Sequence, residues 1–350
     1  MNSHVRVIHL GRLGDVAGGM TQFINESISW SVPGFSQELL PSRSTTRWST
    51  LMTFGRALRA ILALDSSHPV LVIAHLSQGG SFVREGLIAR LAHRRGVAVI
   101  AHVHGSSFPQ FAARHPRLVA RTLGSSDRVI VLSEEARRVV ADMRPATPVM
   151  IVANGVSEGA VGQKEKLVLF GGVVSRRKGV DVLLEAWRMV RAGEWRLVIA
   201  GPVAQESLLV NLPSSVDAVG SLPRDQFREL LSRAAVAVLP SRAEGMPLFV
   251  LEALSSRAVV LGTEVGAISA VVDGTNGLLV PADDAGAMAQ ALQALIDEPE
   301  LRNALAERGA ESFRALYSPS AIIPRLALAW STALEQHASG ASHGGTPAAR

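Results

Sequence analysis

The stretch Leu167-Val-Leu-Phe-Gly-Gly-Val-Val-Ser-Arg-Arg-Lys-Gly-Val-Asp-Val-Leu-Leu-Glu-Ala-Trp187 reads as a strand, a glycine-rich turn and a helix in direct succession. Leu167 to Phe170 is a short continuous apolar run. It lacks the alternation of a strand with one wet face, so it belongs in a parallel sheet covered on both sides. From Val180 the period changes, and Val182, Leu183, Ala186, Trp187 and Val190 fall on one face of a helix.

Similar runs occur on either side of this unit. Val5–Leu10, Val70–Ala74, Val97–Val103, Arg128–Leu132 and Val149–Val152 precede it, and Arg196–Ala200, Ala235–Leu239, Ala258–Leu261 and Gly277–Val280 follow, with helical patterns between them. Two α/β domains result. The polar, aperiodic segment from Ser157 to Lys166 separates the two series and is the expected linker. The domains are therefore expected at 1–158 and 165–318, with a closing helix over 319–338 and a small-residue tail, expected to be disordered, over 339–350.

The 350 residues are 47% hydrophobic and only 19% charged, which argues against a disordered chain or a long coiled coil. Without cysteine the chain has no disulfides, thiolate metal sites or thiol nucleophiles. No apolar run reaches the roughly 18 residues of a membrane span, and the N-terminus lacks a signal-peptide pattern, so a cytoplasmic location is expected. The net charge of +5 points to anionic partners. Lysine stands only at 164, 166 and 178, and there is one tyrosine, so neither a polybasic tract nor an RNA-stacking surface is present and no nucleic-acid partner is expected.

Several segments suit phosphate and sugar chemistry. Gly11-Arg-Leu-Gly-Asp-Val-Ala-Gly-Gly19 lies between a strand and a helix, where backbone N–H groups can approach a phosphate, although it matches neither GxGxxG nor a P-loop. Ala101-His-Val-His-Gly105 ends a strand, where open α/β sheets place ligand-binding residues. Its two histidines are read as hydrogen-bonding or structural rather than metal-binding, with His104 at a pocket edge. After Gly172, the adjacent cations Arg176, Arg177 and Lys178 suit a diphosphate. The segment Ser241-Arg-Ala-Glu-Gly-Met-Pro-Leu-Phe-Val-Leu-Glu-Ala-Leu254 puts Pro247 in the first turn of a helix, Glu244 in the loop before it and Glu252 in its second turn. An anion at that N-terminus would receive backbone donors around Gly245, Met246, Pro247 and Leu248, and Glu252 could accept hydrogen bonds from ribose hydroxyls.

Taken together, AEGMPLFVLEAL with Glu244 and Glu252 eight apart, GGVVSRRKGVDVLLEAW, LVIAGP, VGSLPRDQF, the N-terminal AGGM and the central AHVHGSS resemble the retaining glycosyltransferases of family 4. The resemblance covers most of the chain. It implies the GT-B fold, two Rossmann-like domains facing across a cleft, with the acceptor mainly on the first, the donor mainly on the second and the last helix crossing back. It implies that Glu252 binds the donor ribose, that Lys178 with Arg177 holds the pyrophosphate, and that Glu244 positions the sugar and stabilises charge. It further implies that His104 hydrogen-bonds the sugar, that Gly18 and Gly19 bring amides to phosphate and acceptor, and that neither metal nor cofactor is needed. The implied partners are a nucleotide diphosphate sugar and a saccharide or lipid-linked saccharide acceptor, in bacterial surface or exopolysaccharide synthesis.

The chain departs from the family at Val173, where an arginine is usual and for which Arg176 or Arg177 could substitute, and at Arg257, Val259 and Ala270. Two other readings share the donor site: a GT-B sugar-nucleotide epimerase and a non-catalytic nucleotide-sugar-binding protein. The segment Arg43–Leu62, which mixes arginines with Trp48, Leu51, Met52 and Phe54, suits either a half-buried helix or peripheral contact with an anionic membrane.

Overall fold

The computed structural model describes residues 4–12, 19–44, 46–65, 68–144 and 146–343, which form two compact units. Gly18 lies outside the described residues. The first unit contains β1 (Val5–Arg12), α1 (Gly19–Ile28), β2 (Phe35–Arg43), α2 (Arg47–Leu62), β3 (Val70–Leu76) and α3 (Gly80–Arg94). It continues through β4 (Ala98–Val103), α4 (Phe108–Arg114), α5 (Pro116–Leu123), β5 (Arg128–Val131), α6 (Glu134–Met143) and β6 (Val149–Ile151). The second contains β7 (Glu165–Gly171), α7 (Val180–Met189), β8 (Arg196–Ala200), β9 (Val216–Gly220), α8 (Arg224–Arg233), β10 (Ala234–Leu239), α9 (Leu248–Ser255), β11 (Val259–Thr263), α10 (Ile268–Val271), β12 (Gly277–Val280), α11 (Ala285–Asp297) and α12 (Pro299–Leu316). A last helix, α13 (Pro319–His343), begins in the second unit and belongs to the first from Ile322 onward.

Each unit is built on a parallel six-stranded sheet, β2-β1-β3-β4-β5-β6 in the first and β12-β11-β10-β7-β8-β9 in the second. Both are α/β and Rossmann-like, as the sequence implies. The ten apolar runs all become strands, and β3, β4 and β10 are buried along their whole length. The two strands that the runs do not mark, β2 and β9, each lie at one edge of their sheet, while the opposite edges β6 and β12 do carry marked runs. An edge strand pairs on one side only and is partly wet, so β2 carries Gln37, Glu38 and Pro41, and β9 is exposed in its middle.

Two boundaries differ from expectation. The first unit ends at Asn154, four residues before the expected 158, and the polar linker is held by the second unit. Gly159 N donates to Ser255 Oγ at 3.2 Å, and Lys164 Nζ donates to Ser232 O at 2.8 Å and Ser256 O at 2.6 Å, satisfying carbonyls near the ends of α8 and α9. Burial of the Lys164 ammonium, with Arg257 nearby, lowers its pKa to about 8. The second difference is that α13 stays helical through His343, so the expected disorder from 339 does not begin there. Good helix formers such as Leu334, Glu335 and Gln336 sustain it, and His337 anchors it, with Nδ1 3.0 Å from Asp127 Oδ1 and Nε2 2.9 Å from Gly96 O. Trp330 of α13 is buried edge-on to Phe35 and His9. Among the described residues no helix is long and apolar enough to cross a membrane.

Candidate active site

In the second sheet the chain runs outward from β7 through β8 and β9 on one side and from β10 through β11 and β12 on the other. The reversal falls between β7 and β10. Open α/β sheets bind ligands at the carboxyl ends of the strands flanking such a switch point. The loops that leave these two strands are 172–179 and 240–247, the segments richest in sequence signals.

The two loops are locked together. Gly179 has φ 71°, and a Cβ there would sit 1.8 Å from Pro240 O, so only glycine lets the first loop lie on the second. Arg242 N donates to Arg177 O at 2.9 Å, and Arg177 Nη1 to Ala243 O at 2.9 Å. Gly172 lies within the same loop, close to the Lys178 side chain. The Lys178 ammonium pairs with Glu244 Oε1, which also accepts from Ser241 Oγ at 2.6 Å. Both partners are largely buried, with side chains 14% and 8% exposed. A cation and a carboxylate held this way form a site where each can exchange its partner for an anionic or hydroxylated ligand.

Arg242 anchors the arrangement from outside. It grips Asp181, at the start of α7, with Nη1 at 2.8 Å and Nη2 at 3.0 Å, and reaches Asp283 with Nε at 2.6 Å. Hydrogen bonds to Asp181 are the main reason its pKa is raised. Burial works to raise the Asp181 carboxyl, but the hydrogen bonds and charge of Arg242 outweigh it and hold the pKa below the usual range. Behind Glu244, Thr263 Oγ1 donates to Ser241 O at 2.5 Å and Ala267 N donates to Gly245 O at 3.0 Å. Gly266 has φ 54° and a Cβ there would fall 1.9 Å from Glu244 O. The sequence reading missed Ser241, Arg242, Asp181 and Gly266 as site-building residues. Ser241, Arg242 and Asp181 stand inside the sequence motifs, but their pairing with Glu244 and with one another is set by the fold and not by the motif pattern.

Pro247 takes the N-cap position of α9 rather than its first turn, with φ −73° and ψ 121°. The shift is one residue, because Pro247 ψ is extended and the helical dihedrals start at Leu248. No side chain caps α9, so the donors of its first turn have no side-chain partner at the N-cap. Met246, Pro247, Leu248 and Glu252 are buried and Gly245 is half-buried. Glu252 sits in the second turn as expected. An open depression of about 460 Å³ on the β8–β9 flank, lined by Val198, Asp217, Leu222 and Glu229, includes none of these residues.

The other expected site residues, His104 and Gly19, belong to the first unit, with Gly19 opening α1 and His104 following β4. His104 is the end of a buried relay. Gln37 spends its amide N–H groups on Ser27 O at 3.2 Å and Trp30 O at 2.7 Å, so its oxygen faces His9 Nε2 at 2.9 Å and fixes a proton there. His9 Nδ1 therefore accepts from His75 Nε2 at 2.9 Å, and His75 Nδ1 accepts from His104 Nε2 at 2.9 Å. His104 Nδ1 is left as a buried lone pair with no partner among the described residues. Burial lowers the pKa of His104 to about 3 and that of His9 to about 4, and burial together with the neighbouring imidazoles holds His75 well below its ordinary value. His75, His102 and His104 offer nitrogens within 4.8 Å of one another. A common metal ion does not suit them, because both His75 nitrogens are engaged in the relay and His102 packs against His104 ring on ring, tilted by 34° at 4.0 Å between centroids.

The sequence matches the model for glycosyltransferase family 4 over residues 31–159 and that for glycosyl transferases group 1 over residues 164–298. The chain belongs to the family 4 glycosyltransferases. Among relatives of this family, it is 32% identical over 170 residues to alpha-D-kanosaminyltransferase of Streptomyces kanamyceticus, covering 46% of this chain and 44% of that protein. It is 26% identical over 243 residues to the putative teichuronic acid biosynthesis glycosyltransferase TuaC of Bacillus subtilis, covering 64% and 61%. The chain spans 44% to 62% of the length of these and similar curated relatives. The structure of Anabaena HepE in complex with UDP-glucose superposes with a TM-score of 0.74 at 14% identity, over 94% of this chain and 100% of that one. The fold of this family 4 chain is thus GT-B, with its two Rossmann-like units.

Proposed function

We propose that this chain is a retaining glycosyltransferase that moves a sugar from a nucleotide diphosphate sugar to an acceptor hydroxyl without a metal ion. The observation that carries the reading is the Lys178–Glu244 pair, oriented by Ser241 at the switch point of the second sheet. The HepE complex, which holds UDP-glucose, supports a nucleotide-sugar donor.

On this reading the donor diphosphate takes over Lys178, with Arg177 beside it and the uncapped start of α9, at Gly245 to Leu248, facing its charge. Glu252 accepts from the ribose hydroxyls, and Gly172 lets the backbone approach the phosphates. The bond from sugar C1 to the diphosphate oxygen breaks, its electron pair leaving with phosphate. The acceptor oxygen bonds C1 from the same face and passes its proton to a departing phosphate oxygen. Glu244, freed from Lys178, positions the sugar and stabilises the positive charge that develops on it. In the first unit His104, held neutral by the relay, offers Nδ1 as an acceptor for a ligand hydroxyl, and Gly19, with Gly18, takes the position at which the family resemblance expects amides for a phosphate or acceptor.

A lipid-linked acceptor and peripheral contact with an anionic cytoplasmic membrane face, in surface or exopolysaccharide synthesis, are part of the reading. They are supported by α2, which leaves Trp48, Leu51 and Met52 exposed on one face with Arg56 and Arg59 close along the helix. Sedimentation with anionic vesicles, lost in a Trp48→Ala/Leu51→Ala variant, checks this contact.

The decisive test of the donor site is thermal stabilisation by UDP, GDP, ADP and their sugar conjugates in EDTA, beside Glu252→Ala. Stabilisation by one nucleotide class that disappears in the variant supports the site. No shift with any nucleotide overturns it. Release of an altered sugar nucleotide without acceptor would favour an epimerase, and binding without transfer or hydrolysis would leave a sensor.

A further inference from the structure

The first sheet has its own switch point, between β1 and β3, and a second cluster of charge gathers there. Arg12, the last residue of β1, is the register partner of Arg43, the last residue of β2. The pairing skips Ser42, a bulge that turns its hydroxyl to Gly11 O at 3.2 Å and to Glu85 Oε1. Arg84, in the first turns of α3, lies 3.4 Å from the same carboxylate oxygen. Arg84 thus flanks the Glu85 carboxyl that Ser42 holds, and Arg12 and Arg43 stand side by side on the strands on either side of that bulge, close enough for the charges of Arg43 and Arg84 to act on Arg12.

The cluster carries surplus positive charge. Burial, and then the charges of Arg43 and Arg84, lower the pKa of Arg12. Among the described residues neither Arg12 nor Arg43 has an ion-pair partner, and the Nε atoms of Arg12 and Arg84 are buried donors with no hydrogen bond. The helix that Arg84 stands on begins after Gly79, which has no side chain to cap it. Like charges held together cost stability unless something offsets them, and an anion at this place would satisfy the free guanidinium donors and the first turn of α3 together. The carboxyl of Glu85 is itself raised in pKa, chiefly by burial, and is turned toward Ser42.

We propose that Arg12, Arg43 and Arg84 form a subsite for the phosphate of an anionic acceptor, a sugar or glycerol carrying a phosphate ester. The role as acceptor subsite rests on the transferase reading above. It gives the acceptor a chemical class: the hydroxyl that receives the sugar lies on a phosphorylated molecule rather than on a neutral glycan.

The test is isothermal titration of the full chain with glucose 1-phosphate, sn-glycerol 3-phosphate, glucose and UDP. Wild type is compared with Arg12→Gln/Arg43→Gln, and with Arg43→Gln alone, an exposed position at which the fold is not at stake. A phosphate ester should bind where glucose does not, with affinity about tenfold weaker in the single variant and further reduced in the double. UDP affinity should be unchanged. Preference for glucose 1-phosphate points to a soluble sugar phosphate, and preference for glycerol 3-phosphate to a lipid headgroup. The proposal is overturned if neither ester binds wild type, if binding survives both substitutions, or if UDP affinity falls in parallel, which would assign the arginines to the donor diphosphate. Ester binding without nucleotide binding would instead defeat the donor reading and leave the phosphate subsite standing.

Discussion

The carboxyl edges of the two sheets are built on one topology and handle charge in opposite ways. In the second unit the charges of the two loops are held by partners: Lys178 by Glu244, Arg242 by Asp181 and Asp283, Arg176 by Asp181, and Arg177 by the carbonyl of Ala243. In the first unit the histidines are kept neutral by burial, while Arg12 and Arg43 stand without ion-pair partners among the described residues. The second edge is therefore complete without a ligand and must trade partners to bind one. The first is incomplete, with a lone pair on His104 and free guanidinium donors waiting for partners. Paired ions hold loops in place, whereas unpaired groups mark where something else is to be held.

The contrast can be broken at its strongest point. Lys178→Ala should lower kcat by about 10²–10³-fold, the scale of removing one preorganised charge from a developing anion, with a smaller effect on acceptor KM. Steady-state rates in EDTA measure it, and an unchanged kcat would remove Lys178 from the chemistry. Next in size, Gly266→Ala must accommodate a Cβ 1.9 Å from Glu244 O at φ 54°. It should cost about 1–3 kcal/mol and loosen the Glu244 loop. Denaturant melts and nucleotide affinity should fall together, and loss of neither would mean that the loop yields freely.

The first edge predicts an acid effect. The histidines keep folded pKa values near 4 for His9 and 3 for His104, below the 6.5 of the unfolded chain. As pH falls below about 6.5 the unfolded chain takes up protons that the folded one refuses, so stability is full above that pH and declines toward pH 4. Melts at stepped pH should show this decline, and His9→Gln should make it shallower. A slope that His9→Gln leaves unaltered would place the acid-sensitive groups elsewhere. The smallest effect belongs to the linker, where Lys164→Met should cost about 1–2 kcal/mol by leaving two carbonyls without their charged donor. Equal stability of this variant would show that the linker is not held as described.

Much of the fold was legible because a strand buried on both faces must be a continuous apolar run, and ten such runs stand in the sequence. The edge strands β2 and β9 were not legible, since polar residues interrupt their apolar ones and leave no distinctive period, whereas the opposite edges β6 and β12 keep short unbroken apolar runs. In the site, Glu244 and Glu252 could be placed because Pro247 marks a helix start to within one residue. The His9–His75–His104 relay could not. His9 and His75 look like isolated polar residues in apolar strands, and their adjacency comes from β1 lying beside β3 and β3 beside β4.

The sequence by itself determined the local chemistry: which segments pair into sheets, which turns leave room for a phosphate, and which motifs mark the family. Local period and turn residues act over a few positions and can be read there. The tertiary structure decided which side chains meet. Lys178 and Glu244 are 66 residues apart and pair because the strand order sets β7 against β10. Arg12 and Arg43 meet because a bulge skips Ser42. Contacts of that range depend on the order in which strands join a sheet, and no property of either segment taken alone encodes it.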